Sequence, residues 1–322
     1  NALRGLNPLR LVRPTNECNA EHRTRYSENT VENKVKREMG REKGYRVADL
    51  TNIMSVSEEE ILNNDRIRVY LVEDRIDIYN DIARLMANKL KENNEKGTVT
   101  SFILPVGPRG QYPRFARICN TGKISCRNLI TINMDEYLDD SDCYISEDHP
   151  LSFRGFMKRN LFDLLDDGLK PRPENIYFPD PDNLGEIGRL IEELGGVDIC
   201  FGGVGINGHI AFNEPMDESL ITSEEFKKLK TRILSLSRDT VIMNSLKYGG
   251  WVEFIPRRCI TIGMAEILAS KELRFYMEHN WQWAVLRKAI FLGPTPEFPV
   301  TFIKEHKNSS LTISENVLEG CV

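Results

Sequence analysis

The sequence predicts an α/β protein: a mostly parallel, Rossmann-like sheet with helices on both faces, preceded by an N-terminal extension. Three observations carry that expectation. Short apolar runs alternate with amphipathic stretches of roughly 10–15 residues, the order that builds parallel sheets through crossover helices. Two of the runs, "NLITINM" and "VDICFGG", open directly into polar loops, and ligands in such sheets bind beyond the carboxyl ends of the strands. Residues 1–64 hold few apolar clusters, and their first 46 residues carry eleven Lys/Arg against six Asp/Glu in a chain whose net charge is −5.

The elements follow in order. "SVSEEEILNND" has the serine-then-glutamate start of a short capped helix. "RVYLVE" reads as the first strand, and "DIYNDIARLMANKLKENNEKG" as a helix with apolar residues at helical spacing that stops near Gly97. "VTSFILPVG" is a strand broken at Pro-Val-Gly, followed by a helix from Tyr112 to Cys119. "NLITINM" is the third strand, "SFRGFMKRNLFDLL" and "GEIGRLIEELG" are helices, and "VDICFGG" is a strand. "CITIGMAEILAS" passes from strand to helix, "ELRFYME" is a strand and "WAVLRKAIF" a helix. The tail "GPTPEFPVTFIKEHKNSSLTI" is rich in proline and then strand-like. The expected division is a basic extension at 1–64 and one α/β domain at 65–322, with no internal repeat.

Composition narrows the class. A 40% hydrophobic, 28% charged chain is ordinary for a globular protein. No apolar run approaches the roughly 18 residues of a membrane-spanning helix, and the N-terminus lacks an apolar signal core, so no membrane role is expected. Seven scattered cysteines form no C-x-x-C pair, which argues against zinc or redox motifs; those in "VDICF" and "RRCITI" read as buried thiols, and a reducing, cytoplasmic setting is expected. The basic arm lacks aromatic interleaving, so a solvated arm is favoured and no nucleic acid is expected.

Three loops leave predicted strand ends. In "LPVGPRGQY", Gly107, Arg109 and Gly110 precede a helix, where backbone N–H groups and a guanidinium can hold an anion; the same residues can also make a plain turn. In "NMDEYLDDSD", five carboxylates crowd into eight residues. EF-hand spacing is absent, Asp135 stands at the strand end as a candidate general base, and Asp139 to Asp142 read as a solvated acidic loop. In "GGVGINGHIAFNEP", glycines lead to His209, with Glu214 five residues on. If the chain curls back, Glu214 can hydrogen-bond one ring nitrogen of His209 and leave the other for acid–base work. A structural turn is the competing reading. No second His or Cys lies near enough for zinc.

"NMDEY", "HPLSFRGFMKRNLFD", "GGVDICFGGVGINGHIAFNEP" and "SRDTVIMNS" together resemble the glucosamine-6-phosphate deaminase/isomerase family over about residues 66–290. The related 6-phosphogluconolactonases share the Gly-x-x-Gly-His turn but not "NMDEY" or "HIAFNEP". The resemblance implies conversion of an amino-sugar 6-phosphate to a ketose phosphate with release of ammonia, without metal or organic cofactor, by a homo-oligomer. It implies that His209 opens the pyranose ring, that Glu214 orients it, and that Asp135 moves a proton from C2 to C1. Asn207 joins this catalytic group, and Glu136 lines the substrate with Gly107, Arg109, Gly110, Gly205 and Gly208. The glycines let the chain pass under the sugar.

The chain departs from the family pattern at three kinds of place. Asn207 stands where many members have aspartate, which removes a negative charge beside His209. The first loop reads "GPRGQYP" rather than a Gly-Ser/Thr-rich sequence. Val241 replaces an arginine after "DT", and "HNWQWA" carries no lysine, so two phosphate-binding cations are missing. Arg109 is the expected substitute, with Arg287 or Lys288 as helpers, and Trp281 and Trp283 add bulk near the pocket. Two other readings stay open: an aldose–ketose isomerase that releases no ammonia, and a non-catalytic sugar-phosphate sensor, which would have no need of a proton relay.

Overall fold

A computed structural model describes residues 47–319, with side chains from residue 51 onward. Residues 1–46 of the extension expected at 1–64 lie outside the described residues. The chain divides at Val47/Ala48, and the sheet and the candidate site lie in the unit that begins at Ala48.

The strands are β1 (Arg68–Val72), β2 (Thr100–Leu104), β3 (Leu129–Asn133), β4 (Asp135–Leu138), β5 (Ile176–Tyr177), β6 (Ile199–Gly203), β7 (Arg232–Ser235), β8 (Arg258–Thr261), β9 (Leu273–Met277) and β10 (Ser309–Ser314). The helices are α1 (Val47–Met54), α2 (Glu58–Leu62), α3 (Arg75–Glu95), α4 (Gln111–Gly122), α5 (Phe153–Asn160), α6 (Glu186–Glu193), α7 (Ser223–Phe226), α8 (Arg238–Ser245), α9 (Met264–Leu268), α10 (Trp283–Phe291) and α11 (Asn316–Glu319). Seven strands form the central sheet in the order β1-β10-β9-β6-β2-β3-β5, every neighbouring pair parallel.

Side chains on successive strand residues point to opposite faces, and the core splits accordingly. Phe102, Leu104, Ile199 and Phe201 pack on one face with Ile82, Met86, Phe115 and Cys119 of α3 and α4. Ile103, Cys200, Phe275 and Ile313 pack on the other with Ile187, Ile191, Leu286 and Ile290 of α6 and α10. Burial on both faces is why these strands read as continuous apolar runs. Cys200 and Cys259, the thiols expected to be internal, are buried and free. Among the described residues no helix is long and apolar enough to cross a membrane.

Local signals place the helix ends. Asp74 caps α3 by accepting from the N–H groups of Ile76 and Asp77, and the chain leaves that helix through Gly97 at φ 67°. Ser57 and Glu60 form a capping box on α2, whose Ile61 is fully buried in the core. The helix expected over "SFRGFMKRNLFDLL" ends earlier, at Asn160, and a 3-10 turn takes Phe162–Leu164.

A second, three-stranded antiparallel sheet, β4-β8-β7, stands at the carboxyl ends of the central strands. Met134 joins the two: its N–H donates to Leu104 O and its carbonyl accepts from Ile262 N. β2 and β6 are neighbours although β3, β4 and β5 separate them in sequence, so the strand order reverses there. Such a reversal opens a crevice where ligands bind. The loops after β2 and β6 meet at this point, and a Cβ on Gly203 would come within 2.7 Å of Gly107 O.

Candidate active site

The loop after β6 folds tightly because its glycines permit it. Gly208 sits at φ 81°, where a side chain would also strike the Phe298 ring, and Gly205 leaves the space that the His209 ring occupies. The Gly205 N–H donates to His209 O and the Gly208 N–H to Gly205 O. His209 emerges with its side chain 14% exposed.

The expected direct bond from Glu214 to the imidazole is not made: the nearest approach is 3.9 Å. Asn207 stands between the two. Its Oδ1 lies 2.8 Å from His209 Nδ1, and its Nδ2 donates to Glu214 Oε2 at 2.8 Å and Ser237 Oγ at 3.1 Å. The amide orientation follows from chemistry, since an ionised carboxylate only accepts and so needs the NH2 group. That leaves the amide oxygen toward the ring and makes Nδ1 the protonated nitrogen. Nε2 is therefore the bare, basic atom. Glu214 is held in turn by the Ser237 N–H on Oε1 at 3.1 Å, and Thr240 Oγ1 lies 3.2 Å from Nδ1.

Asp135 opens β4 and pairs across the ladder with Thr261, whose Oγ1 accepts the Phe212 N–H at 3.0 Å. Asn213 Nδ2 donates to Ile262 O at 3.0 Å. The carboxylate strand and the histidine loop are thus stitched to the same end of β8. Asp135 is 6% exposed, and burial first, then the Glu136 charge, raises its carboxyl well above the usual carboxylate range. His209 moves the other way: burial lowers it, partly offset by Glu214. One carboxylate that grips protons and one neutral imidazole thus lie out of bulk water, both on segments fastened to the Thr261 end of β8.

Glu136, expected to line the substrate, faces the opposite way. Adjacent strand residues project to opposite faces, so with Asp135 toward the cleft Glu136 points inward. Its oxygens accept from Tyr137 N, Ser152 Oγ, Phe153 N and Arg154 N at 2.8–3.0 Å, and Arg154 Nε lies 3.4 Å away. It fastens the start of α5 to β4.

Gly107, Arg109 and Gly110 form the loop before α4. Arg109 Nε donates to Val106 O, and its guanidinium lies over Phe156 at 5.3 Å. A Cβ on Gly110 would overlap the Tyr79 ring. Arg287, the expected helper, is committed elsewhere: it donates to Trp283 O and Val56 O and lies over Trp283 at 3.7 Å. The Lys288 ammonium lies 5.4 Å from the Phe298 ring, with burial lowering it. Trp281 stacks on His279 at 5.6 Å. In the acidic loop, Asp139 accepts from the N–H groups of Ser141 and Cys143, and Asp142 pairs with Arg258 at 2.7 and 3.0 Å. Those carboxylates are used within the protein, and among the described residues no cluster of three His, Cys, Asp or Glu side chains could hold a metal ion.

Ser237 and Thr240 were not legible as site residues. They arrive on the N-terminal turn of α8, about thirty residues beyond His209, and only the tertiary fold brings them in. Serine is a favoured residue at a helix start, and Ser237 is that helix's N-cap.

The site can be set beside known proteins. No protein-family profile matches the chain. A glucosamine-6-phosphate deaminase of Porphyromonas gingivalis (strain W83) is 33% identical over 250 residues, covering 74% of this chain and 89% of that protein. The chain belongs to the glucosamine-6-phosphate deaminase family. The corresponding enzyme of Borreliella afzelii is 33% identical over 249 residues, covering 74% of this chain and 87% of its own. Among solved structures, a monomeric glucosamine-6-phosphate deaminase of the NagB superfamily superposes with a TM-score of 0.67 at 24% identity, over 78% of this chain and 98% of that one. A 6-phosphogluconolactonase from Plasmodium vivax gives a TM-score of 0.58 at 18% identity, over 85% and 99%. These superpositions speak for the fold. Within the family frame, Asn207 is a spacer of fixed polarity between two residues expected to touch.

That spacer makes a prediction. Asn207→Asp would place a carboxylate against Nδ1 and favour the imidazolium, so the His209 pKa should rise. Titration of the ring by NMR checks it; an unchanged pKa would show that the Asn207 side chain does not govern the ring.

Proposed function

We propose that this chain is an amino-sugar 6-phosphate deaminase/isomerase acting on glucosamine 6-phosphate or a close relative. The observation that supports it most is that Asp135, raised by burial, and a neutral His209 whose Nε2 is bare sit on segments fastened to the same end of β8, in a chain of this family. His209 Nε2 takes the proton of the anomeric hydroxyl and returns it to the ring oxygen, opening the pyranose. Asp135, as carboxylate, takes the C2 proton, the C2 bonding electrons move to C1–C2, and the C1 carbonyl oxygen takes a proton from the substrate's own ammonium group to become an enol hydroxyl. The same proton is returned at C1. This leaves a C2 imine, to which water adds, and the C2–N bond breaks to give the ketose phosphate and ammonia. Atoms balance with one water consumed. Homo-oligomer formation and a cytoplasmic setting are expected on this reading.

Burial suits Asp135 to its role as base. A base is most effective when its pKa approaches the working pH, and burial moves Asp135 in that direction. The sign is explicit: only the ionised form can accept the C2 proton, so kcat/KM should fall as pH drops through the raised Asp135 pKa. The acid limb should lie above the ordinary carboxylate range. An acid limb at the value of an exposed aspartate would count against Asp135 as the base.

The direct test is ammonia release from glucosamine 6-phosphate by purified protein. Release supports the reading. Ketose formation from sugar phosphates that lack an amine, with no ammonia from glucosamine 6-phosphate, would replace it with the simple isomerase. Ligand binding without turnover of either class would point to the sensor.

A further inference from the structure

A second concave surface lies at the amino ends of β1 and β10, the opposite end of the parallel sheet from the histidine loop. It is a groove of about 520 Å³ whose lining includes Asp65, Arg66, Arg68, Lys304, His306 and Lys307. Arg66, Arg68 and Lys307 are exposed to solvent, and Glu305, also in the lining, is paired with Lys227 at 2.8 Å. His306 is neutral, because its Nδ1 accepts the Asn308 N–H at 3.1 Å while its Nε2 donates to Ser270 O at 2.8 Å. Three exposed cations therefore face one remaining carboxylate, Asp65.

Lys304 is the part-buried cation of the set. Its Nζ donates to Ile290 O at 3.0 Å and to Leu292 O, at the end of α10. Arg66 donates to the carbonyl between them, Phe291 O, at 2.8 Å and lies over the Phe291 ring at 5.2 Å. A neutral amine has two N–H donors and one lone pair. The two carbonyls satisfy both donors, which leaves the fourth tetrahedral position of the nitrogen for a reaction partner. A helix C-terminus favours a cation, yet burial, then the Arg66 charge, pushes Lys304 down to about 8. A lysine that only capped α10 would stay protonated and inert.

We propose that Lys304 is an acylation site, whose amine attacks an acyl phosphate held in this groove by Arg66, Arg68 and Lys307. Guanidinium and ammonium groups are suited to the phosphate end of such a molecule. The Nζ–C bond to the acyl carbon forms as the bond from that carbon to the phosphate oxygen breaks. Inorganic phosphate leaves with the electron pair and takes up the proton shed by the nitrogen. No electrons are exchanged with an outside donor or acceptor. The product amide keeps one N–H, so one of the two α10 carbonyls loses its donor. The inference is independent of the chemistry proposed at the other end of the sheet.

The experiment incubates the full-length protein with acetyl phosphate over a pH series that brackets neutrality and follows acetylation of each lysine by peptide mass spectrometry. Lys91, an exposed lysine of α3, is the internal reference. At neutral pH an ordinary lysine is free amine to roughly one part in a few thousand, and Lys304 to a far larger share. Lys304 should therefore be acetylated at least about tenfold faster than Lys91, the weaker nucleophilicity of a less basic amine offsetting part of the difference. Its rate should level off above about pH 8, where that of Lys91 still climbs. The double variant Arg68→Gln/Lys307→Gln should slow acetylation of Lys304 by acetyl phosphate several-fold. It should leave unchanged the labelling by p-nitrophenyl acetate, which carries no phosphate. Lys304→Arg, which retains donors for the α10 carbonyls, should abolish the adduct at this position and leave labelling of Lys91 as it was. Acetylation of Lys304 no faster than that of Lys91 overturns the inference. So does fast labelling by p-nitrophenyl acetate alone, or a double variant that reacts with acetyl phosphate as the wild type does, because either outcome leaves a reactive amine without an acyl phosphate site.

Discussion

Asp135→Asn should lower turnover of glucosamine 6-phosphate by about a thousandfold or more while the protein still binds the sugar. General acid–base groups contribute roughly 10²–10⁴-fold, and asparagine cannot accept the C2 proton at all. The same change should raise the melting temperature at neutral pH. The folded-state pKa of Asp135 is raised above its unfolded value. Below the unfolded pKa the carboxyl is protonated in both states and costs nothing. As pH rises through the folded pKa, the fold must hold a buried charge, and stability is lost. Asparagine removes that cost. Activity assays and thermal unfolding on one preparation check both parts. A variant that is inactive and also less stable would mean that Asp135 holds the loop together rather than acting on substrate.

Glu136→Ala carries the largest expected effect on stability, about 3–5 kcal/mol by urea unfolding. The carboxylate is fully buried and accepts three backbone N–H bonds and one hydroxyl. Removing it strands those donors and leaves Arg154 without one of its partners. Glu136→Gln should lose less, because an amide oxygen still accepts part of the set. If Glu136 contacted the sugar instead, Glu136→Gln would raise KM and leave unfolding unchanged. The two variants together separate a fastening role from a binding one.

The paired behaviour of Asp135 and Glu136 also shows where sequence reading works. The inner strands of the central sheet are legible because burial on both faces makes them unbroken apolar runs, whereas the two-residue edge strand β5 carries no such run. His209 and Asp135 stand out as candidates because each lies just beyond the end of such a run. Glu136 was misplaced, although the two-residue period of a strand lets only one of two neighbours face the cleft. β4, with the sequence Asp-Glu-Tyr-Leu, has no apolar run to mark it as a strand, so the sequence offers that rule nothing to act on. β7 was missed for a related reason: "RILS" is half-exposed and lies in the small second sheet. Ser237 and Thr240 come from the start of a helix that follows β7, and only the tertiary fold brings it to His209. No local pattern around them reports that. Glu214 was identified, but its contact was not, since whether a side chain touches a neighbour directly or through a third depends on ångström-scale loop geometry.

The Asn207 amide has one more consequence. A carboxylate in that position could take the Nδ1 proton and hand it onward. An amide at neutral pH neither gains nor loses one, so it works as an electrical insulator for protons while still passing on the field of Glu214. The imidazole is left with a single working terminal, Nε2. A proton accepted there from the anomeric hydroxyl has one way out, back to the sugar's ring oxygen. Ring opening then becomes a closed exchange between His209 and its substrate, with no net charge delivered to the protein interior.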